Sequence, residues 1–269
     1  MRSGEREEIL VMYIAQTYFS LRFGLLSPEQ LVAAAQEHGL SRLVLADINN
    51  VSCAGEFVAR CRQAGIQPIL GIDFRTPDYQ PLYYGIAHND EGFRELTELL
   101  SRHSLSGRPL PMVPPPMQHV SIIYRKRPKA IEHFRSNEYL GIRAEDASRL
   151  RSSGLLAYRN KLVAYQPVSF LTDGDEYDTH RVLRAIDRNT LISKIDVDDC
   201  ARTSDFFVGT DDLRKSYSTY PFLLKNAQRL LARSAIELPN GRQNNRKYFS
   251  GSAEDDFALL KKLAESGCR

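Results

Sequence analysis

Short apolar runs of strand length recur through the first two thirds of this 269-residue chain, separated by segments of helical period. The runs are Val11 to Ala15, Arg42 to Ala46, Pro68 to Phe74, Leu82 to Ala87, Val120 to Tyr124, Tyr139 to Ile142 and Leu162 to Val168. Runs that are apolar throughout mark strands buried on both faces. Their alternation with helices implies parallel pairing through right-handed crossovers. The runs number seven, fewer than the eight strands of a standard β/α barrel. An incomplete β/α barrel and an open doubly wound sheet both satisfy this pattern.

The helical segments carry their own punctuation. Ser27-Pro28-Glu29-Gln30 reads as a capping box with proline in the first turn. Leu31, Ala34, Ala35 and His38 then share one face, and Gly39 stops the helix. Ala54, Phe57, Val58 and Cys61 repeat the helical spacing up to Gly65. Asn89 or Asp90 caps a helix whose face is Phe93, Leu96, Leu99 and Leu100. A later helix covers Glu176 to Asp187, with Tyr177, His180, Leu183 and Arg184 on one side. The prolines between Arg108 and Pro116 mark an extended loop.

The last third is less regular. Asp196 to Thr219 is polar and reads as irregular, Pro221 to Ala232 as a helix and Leu238 to Tyr248 as a polar loop. A final helix starts near Ser252, with Phe257, Leu260 and Leu263 on one face and Gly267 as its stop. That ending suggests a truncation or a domain boundary. Met12 is a second candidate start. The expected organisation is an extension over 1–11, a barrel domain over 12–235, and a linker with the start of a further region over 236–269.

Composition bounds the rest. With 42% hydrophobic and 26% charged residues, a packed core is expected. A net charge of +3 argues neither for nor against nucleic acid. The four cysteines form no CxxC pair, which disfavours a zinc ribbon and fits a reducing cytoplasm. No apolar run reaches membrane-spanning length. No P-loop, GxGxxG or GxSxG occurs, against the common nucleotide-binding and hydrolase classes.

Several segments together resemble one family. Tyr13-Ile14-Ala15-Gln16-Thr17-Tyr18-Phe19-Ser20, Leu45-Ala46-Asp47-Ile48-Asn49-Asn50 and Gly65-Ile66-Gln67-Pro68-Ile69-Leu70-Gly71-Ile72-Asp73 are similar to the first three motifs of PHP (polymerase and histidinol phosphatase) domains. Tyr84 to Asn89 with Gly92 to Leu96 is similar to the segment that follows in bacterial DNA polymerase III α subunits, His180 to Lys194 resembles the version in α subunits of the Bacteroidetes type, and Phe249 to Gly267 resembles the run into the polymerase palm. The resemblance implies an α/β fold: a distorted (β/α)7 barrel with a C-terminal helical and irregular extension that runs into the polymerase palm.

The same resemblance implies a site. PHP domains hold up to three metal ions at the strand ends with histidines and carboxylates, which lower the pKa of bound water for phosphoester cleavage. Here the opening HxH falls on Ile14 and Gln16, the second motif keeps Asp47 but has Ile48 for its histidine, the third has Asp73 for glutamate, and the late DxH falls on Pro167 and Ser169. Two carboxylates do not close a zinc site, which takes three or four protein ligands. The expectation is a degenerate, metal-free site with no catalytic residues in this chain. Mg²⁺ would belong to a palm outside it, and Zn²⁺ or Mn²⁺ only to the alternative reading.

That alternative is a stand-alone metal-dependent phosphoesterase or 3′–5′ exonuclease. The first reading is a structural module of a DNA-directed DNA polymerase, with the rest of the α subunit and a proofreading exonuclease as partners and DNA contacted indirectly. A plain interaction domain unrelated to replication is a third. Arg125, Lys126, Arg127 and Lys129 form a basic segment that could touch phosphate backbone. Arg242, Arg246 and Lys247 are a weaker group of the same kind. His180 reads as a core or capping histidine, and Arg184 with Asp187 as an ion pair.

Overall fold

The computed structural model describes residues 11–172, 174–238 and 248–267. Residues 1–10 of the expected extension over 1–11, the basic residues Arg242, Arg246 and Lys247, and Cys268 lie outside the described residues. The chain divides into two units, Met1–Leu238 and Pro239–Arg269.

The first unit is a barrel. In order, β1 (Tyr13–Ala15), α1 (Pro28–Glu37), β2 (Arg42–Ile48), α2 (Ala54–Gln63) and β3 (Gln67–Arg75) form two parallel crossovers. The Ser27 side chain accepts the Gln30 N–H while Gln30 reaches back, the capping box expected from sequence. Gly39 and Gly65 follow α1 and α2 at φ +63° and +71°, a region open to glycine at no steric cost. Next come β4 (Pro81–Ala87), α3 (Asp90–Ser106), β5 (Val120–Tyr124), β6 (Glu138–Ile142), β7 (Leu162–Ala164) and β8 (Gln166–Val168). Asn89 caps α3 by accepting the Gly92 N–H.

The strand order is β7-β6-β5-β4-β3-β2-β1-β8. β7 and β8 are two halves of the single run 162–168, bent at Tyr165. The first half pairs with β6 and the second with β1, both parallel. One run therefore bridges the two ends of the sheet, and the ring has seven strand tracks, as the resemblance implied. Pro167 is tolerated because its neighbours serve the seam: the Gln166 N–H donates to the Met12 carbonyl, and the Val168 carbonyl accepts the Gln16 N–H.

Parallel pairing throughout was the expectation, and it fails at β4. That strand is antiparallel to both β3 and β5. The link from Arg75 to Pro81 is a short turn, and parallel strands need a crossover of a dozen or more residues. The crossovers between β5, β6 and β7 are also not α-helices. They are 3₁₀ turns over Ile131–His133, Ala144–Ser152 and Leu155–Lys161. These departures distort the barrel.

Strand periodicity sorts the core into layers. Met12, Ile14, Val44, Ala46, Ile69, Tyr84, Ile86, Ile123, Val163 and Tyr165 fill the interior. Tyr13, Leu43, Leu45, Leu70, Ile72 and Phe74 face outward into the layer shared with the helices. Ala227, Leu230 and Leu231 of a later helix pack into the interior cluster, and Arg42 at the start of β2 donates to the Leu231 carbonyl. That helix therefore closes the end of the barrel where the parallel strands begin.

After the barrel come α4 (Asp175–Asp187), α5 (Thr210–Ser216), α6 (Phe222–Ala232) and, in the second unit, α7 (Ala253–Gly267). α6 is the closing helix. The segment read as irregular over 196–219 contains α5, a short helix anchored by buried Leu213 and Tyr217. In α7, Phe257, Leu260 and Leu263 lie on an exposed apolar face.

Candidate functional site

The parallel strands end on one rim, where the positions of the resemblance gather. Gln16 follows β1, Ile48 ends β2, Asp73 and Arg75 end β3, Arg125 follows β5, Arg143 follows β6 and Ser169 follows β8. In register, Ile48 pairs with Asp73 and Asp47 with Ile72. Residues paired across parallel strands point to one side of a sheet. Ile72 belongs to the outer layer, so Asp47 points outward and Asp73 inward. The two retained carboxylates do not face one cavity.

Asp47 is held by the loop after β1. Its oxygens accept the Thr17 N–H at 2.7 Å, the Thr17 hydroxyl at 2.8 Å and the Ser20 hydroxyl at 2.8 Å. Burial raises its pKa to about 6, and these hydrogen bonds offset part of the rise. Gly24 keeps this loop closed: a Cβ there would lie 1.9 Å from the Thr17 carbonyl oxygen.

Asp73 is fully buried and saturated by cations. Arg75 donates Nε at 2.9 Å and Nη2 at 2.7 Å to its Oδ2, and Arg125 pairs with its Oδ1. The Gln16 amide donates to Oδ2 at 2.7 Å and accepts the Ser169 hydroxyl at 3.2 Å. The guanidiniums of Arg75 and Arg125 lie 4.3 Å from the ring centroids of Phe23 and Tyr84, respectively. Asn49, at φ 46°, donates to the Arg75 carbonyl and accepts its N–H, which fixes the end of β3.

Ile14 sits in the barrel interior, with Pro167 beside it in register. Ile48 packs with Phe23, Phe170 and Ala201 in an apolar cap. Gln16, Asp73 and Ser169 thus come together as expected of one site, and Ile48 lies on the same side of the sheet as Asp73, whereas Asp47 is directed elsewhere. Among the described residues no three His, Cys, Asp or Glu side chains form a group able to hold a metal. The residues present do not fit a metal ion. The one inward carboxylate is occupied by two guanidiniums, and the other donors are an amide and a hydroxyl.

The basic segment after β5 needs correction. Arg125 is not a surface contact but the partner of Asp73, because it directly follows a buried strand. Lys129 turns to buried Glu138 at 2.7 Å, joined there by Arg135 at 2.8 Å and the Tyr124 hydroxyl at 2.8 Å. Burial pushes the Glu138 pKa up, but these partners hold it down at about 2. Lys126 and Arg127 remain exposed.

His180 on α4 is a core histidine, as read from sequence. Its Nε2 accepts the Ala201 N–H at 2.9 Å, so the proton resides on Nδ1 and is donated to the Phe23 carbonyl at 2.7 Å. Burial lowers its pKa to about 4. The neutral form therefore carries the stability, which is complete above the unfolded value near 6.5 and is lost as pH falls towards 4. From pH 7 to 4, the stability advantage of the native protein over His180→Gln should shrink by roughly 3 kcal/mol. Urea titrations at both pH values measure it, and a pH-independent difference contradicts a neutral buried imidazole.

Residues 14–142 match the family model of the PHP domain. Over that span the chain is similar to PHP domains. Similar proteins include DNA polymerase III subunit alpha of Neisseria meningitidis serogroup A and serogroup B, each 38% identical over 90 residues. The error-prone DNA polymerase of Symbiobacterium thermophilum is 34% identical over 91 residues. These alignments cover 32%, 32% and 34% of this chain. The matched part spans 8% of each relative's length. Among solved structures, an amidohydrolase from Chromobacterium violaceum overlays at a TM-score of 0.28 and 17% identity, covering 36% of this chain and 34% of its own.

The partners that neutralise Asp73 were not read from sequence. A signal existed: Asp73 and Arg75 are two apart on one strand and so share a face. No helix among the described residues is long and apolar enough to cross a membrane.

Proposed function

We propose that this PHP domain is a metal-free structural module of a DNA polymerase III α-type protein. It packs against the rest of that polymerase and holds a separate proofreading exonuclease, while nucleotidyl transfer resides in a palm outside this chain. Such a protein works in the cytoplasm, and DNA is reached through the polymerase body. The observation that carries this reading is the replacement at the strand ends. Where the family's chemistry needs imidazoles converging on metal, Asp73 is neutralised by Arg75 and Arg125. Water at such a mouth has no Lewis acid to lower its pKa, so phosphoester cleavage loses its nucleophile.

The deciding experiment is metal analysis of protein purified without chelator, together with phosphodiesterase and exonuclease assays with and without Mn²⁺. The expected result is well below one Zn²⁺ or Mn²⁺ per chain and no turnover. About one or more tightly held ions, with Mn²⁺-dependent cleavage, would favour the stand-alone phosphoesterase or exonuclease instead. Co-elution with a proofreading exonuclease checks the partner.

A further inference from the structure

α6 closes the barrel at the end away from the strand-end rim, and its two faces differ in charge. The inner face is spent on the core: Leu223, Leu224, Ala227, Leu230 and Leu231 are buried. The outer face carries Lys225, Arg229 and, at the C-cap in helical conformation, Arg233, all exposed. Four residues separate each from the next, so they form one stripe with a step of about 6 Å. Arg159 joins it from the 3₁₀ turn over Leu155–Lys161. It is exposed, its guanidinium lies 5.6 Å from the Phe222 ring centroid, and its carbonyl accepts the Asn226 amide at 2.8 Å.

No carboxylate answers these charges. Among the described residues, α6 is the one α-helix without Asp or Glu. β7 and the 3₁₀ turn, on which α6 packs, have none either. None of the four cations makes an ion pair among the described residues. Upstream, Asp211 and Asp212 are taken by Arg214 and Lys215, and downstream the exposed Glu237 lies beyond the helix. Other helices set their arginines one turn from a carboxylate, as in Arg60 with Glu56, Arg94 with Glu98 and Arg181 with Asp178. Like charges at i, i+4 destabilise a helix. The helix dipole accounts for Arg229 and Arg233 at the C-terminal end. It does not account for Lys225 in the first turn, where a cation is unfavourable.

We propose that this stripe docks the backbone of duplex DNA without reading its sequence. Evenly spaced cations on a straight ridge suit a rod with one negative charge per about 1.7 Å. Other partners suit it less. A helix lying in a membrane surface exposes Trp, Phe or Leu, whereas the large apolar side chains of α6 fill the barrel and none is exposed. A protein partner or a single strand would use apolar or aromatic anchors. The contact adds to the indirect route through a polymerase body, and depends neither on that route nor on the absence of metal.

The test is fluorescence anisotropy of the full chain with a labelled duplex of arbitrary sequence, at several salt concentrations and with EDTA present. A Kd on the order of 10 µM is expected at low salt, with a log–log salt slope of at least about −3.6 for four phosphates. Lys225→Gln and Arg229→Gln should each reduce that slope by about 0.9. The triple variant Lys225→Gln, Arg229→Gln, Arg233→Gln should bind at least about tenfold more weakly. Arg229→Lys keeps the charge, and Lys215→Gln alters a lysine already paired with Asp212, so both should bind as the native chain does. These side chains are exposed, so the variants should fold, and the Tm of the triple variant should stay level or rise as repulsion is relieved. Binding by the triple variant that is as tight and as salt-dependent as that of the native chain overturns the proposal. So does tighter binding to poly-glutamate or to phosphatidylserine vesicles at the same ionic strength. A triple variant that loses Tm but binds DNA unchanged assigns the stripe to helix support and overturns it too. None of these outcomes touches the metal-free reading, which is decided by metal content.

Discussion

Asp73→Ala should destabilise the barrel by about 3–5 kcal/mol, because it strands two guanidiniums that have no other carboxylate among the described residues. Both arginines are enclosed: their side chains are 7% and 16% exposed. Neither can swing to water without opening the aromatic packing on Phe23 and Tyr84. For a unit of this size the loss corresponds to a fall in Tm of about 10 °C. Asp73→Asn keeps the shape and one acceptor, and should lose less. Replacing Asp73, Arg75 and Arg125 together by apolar residues should recover much of the loss, since removing a whole buried ion cluster is often neutral. Thermal and urea denaturation of the three variants measure this. An Asp73→Ala protein within about 1 kcal/mol of the native one contradicts a buried, charge-balanced mouth.

Arg184→Ala should cost about as much, 3–5 kcal/mol, for a different reason. Arg184 is fully buried on α4. It donates to the Asp199 carbonyl at 2.8 Å, the Arg22 carbonyl at 3.2 Å and Asp187 at 2.9 Å. Its guanidinium lies 4.2 Å from the Tyr79 ring centroid. One side chain thus ties the loop after β1, the turn after β3 and the segment before Ala201 to α4. Truncation leaves a cavity and two carbonyls without donors, and removes one of the two guanidiniums on Asp187, whose other partner is Arg22. Arg184→Lys should rescue only part, because an ammonium cannot donate in three directions from one plane. Urea denaturation gives the stability change. Proteolysis of the loop around Tyr18 to Phe23 should also accelerate, and an unchanged cleavage rate would separate Arg184 from the cap.

Helix limits, the capping box at Ser27, the glycine stops and the strand positions all follow from near neighbours in sequence, so the chain determined them by itself. The residue types at Ile14, Gln16, Ile48 and Ser169 belong to the same class, because none of them can supply imidazole in any fold. The sequence also carried the Arg184–Asp187 pair, one helical turn apart. Three things needed the tertiary structure. The reversal of β4 came from a turn too short for a crossover, and an apolar run has no polarity to read. The separation of Asp47 from Asp73 depended on register, since one residue along a strand exchanges the faces of a sheet. The capture of Arg125 by Asp73 joins residues 52 apart in sequence. Charge pairs at that separation are set by barrel closure, which brings the ends of β3 and β5 to one rim and leaves a buried carboxylate no solvent to face.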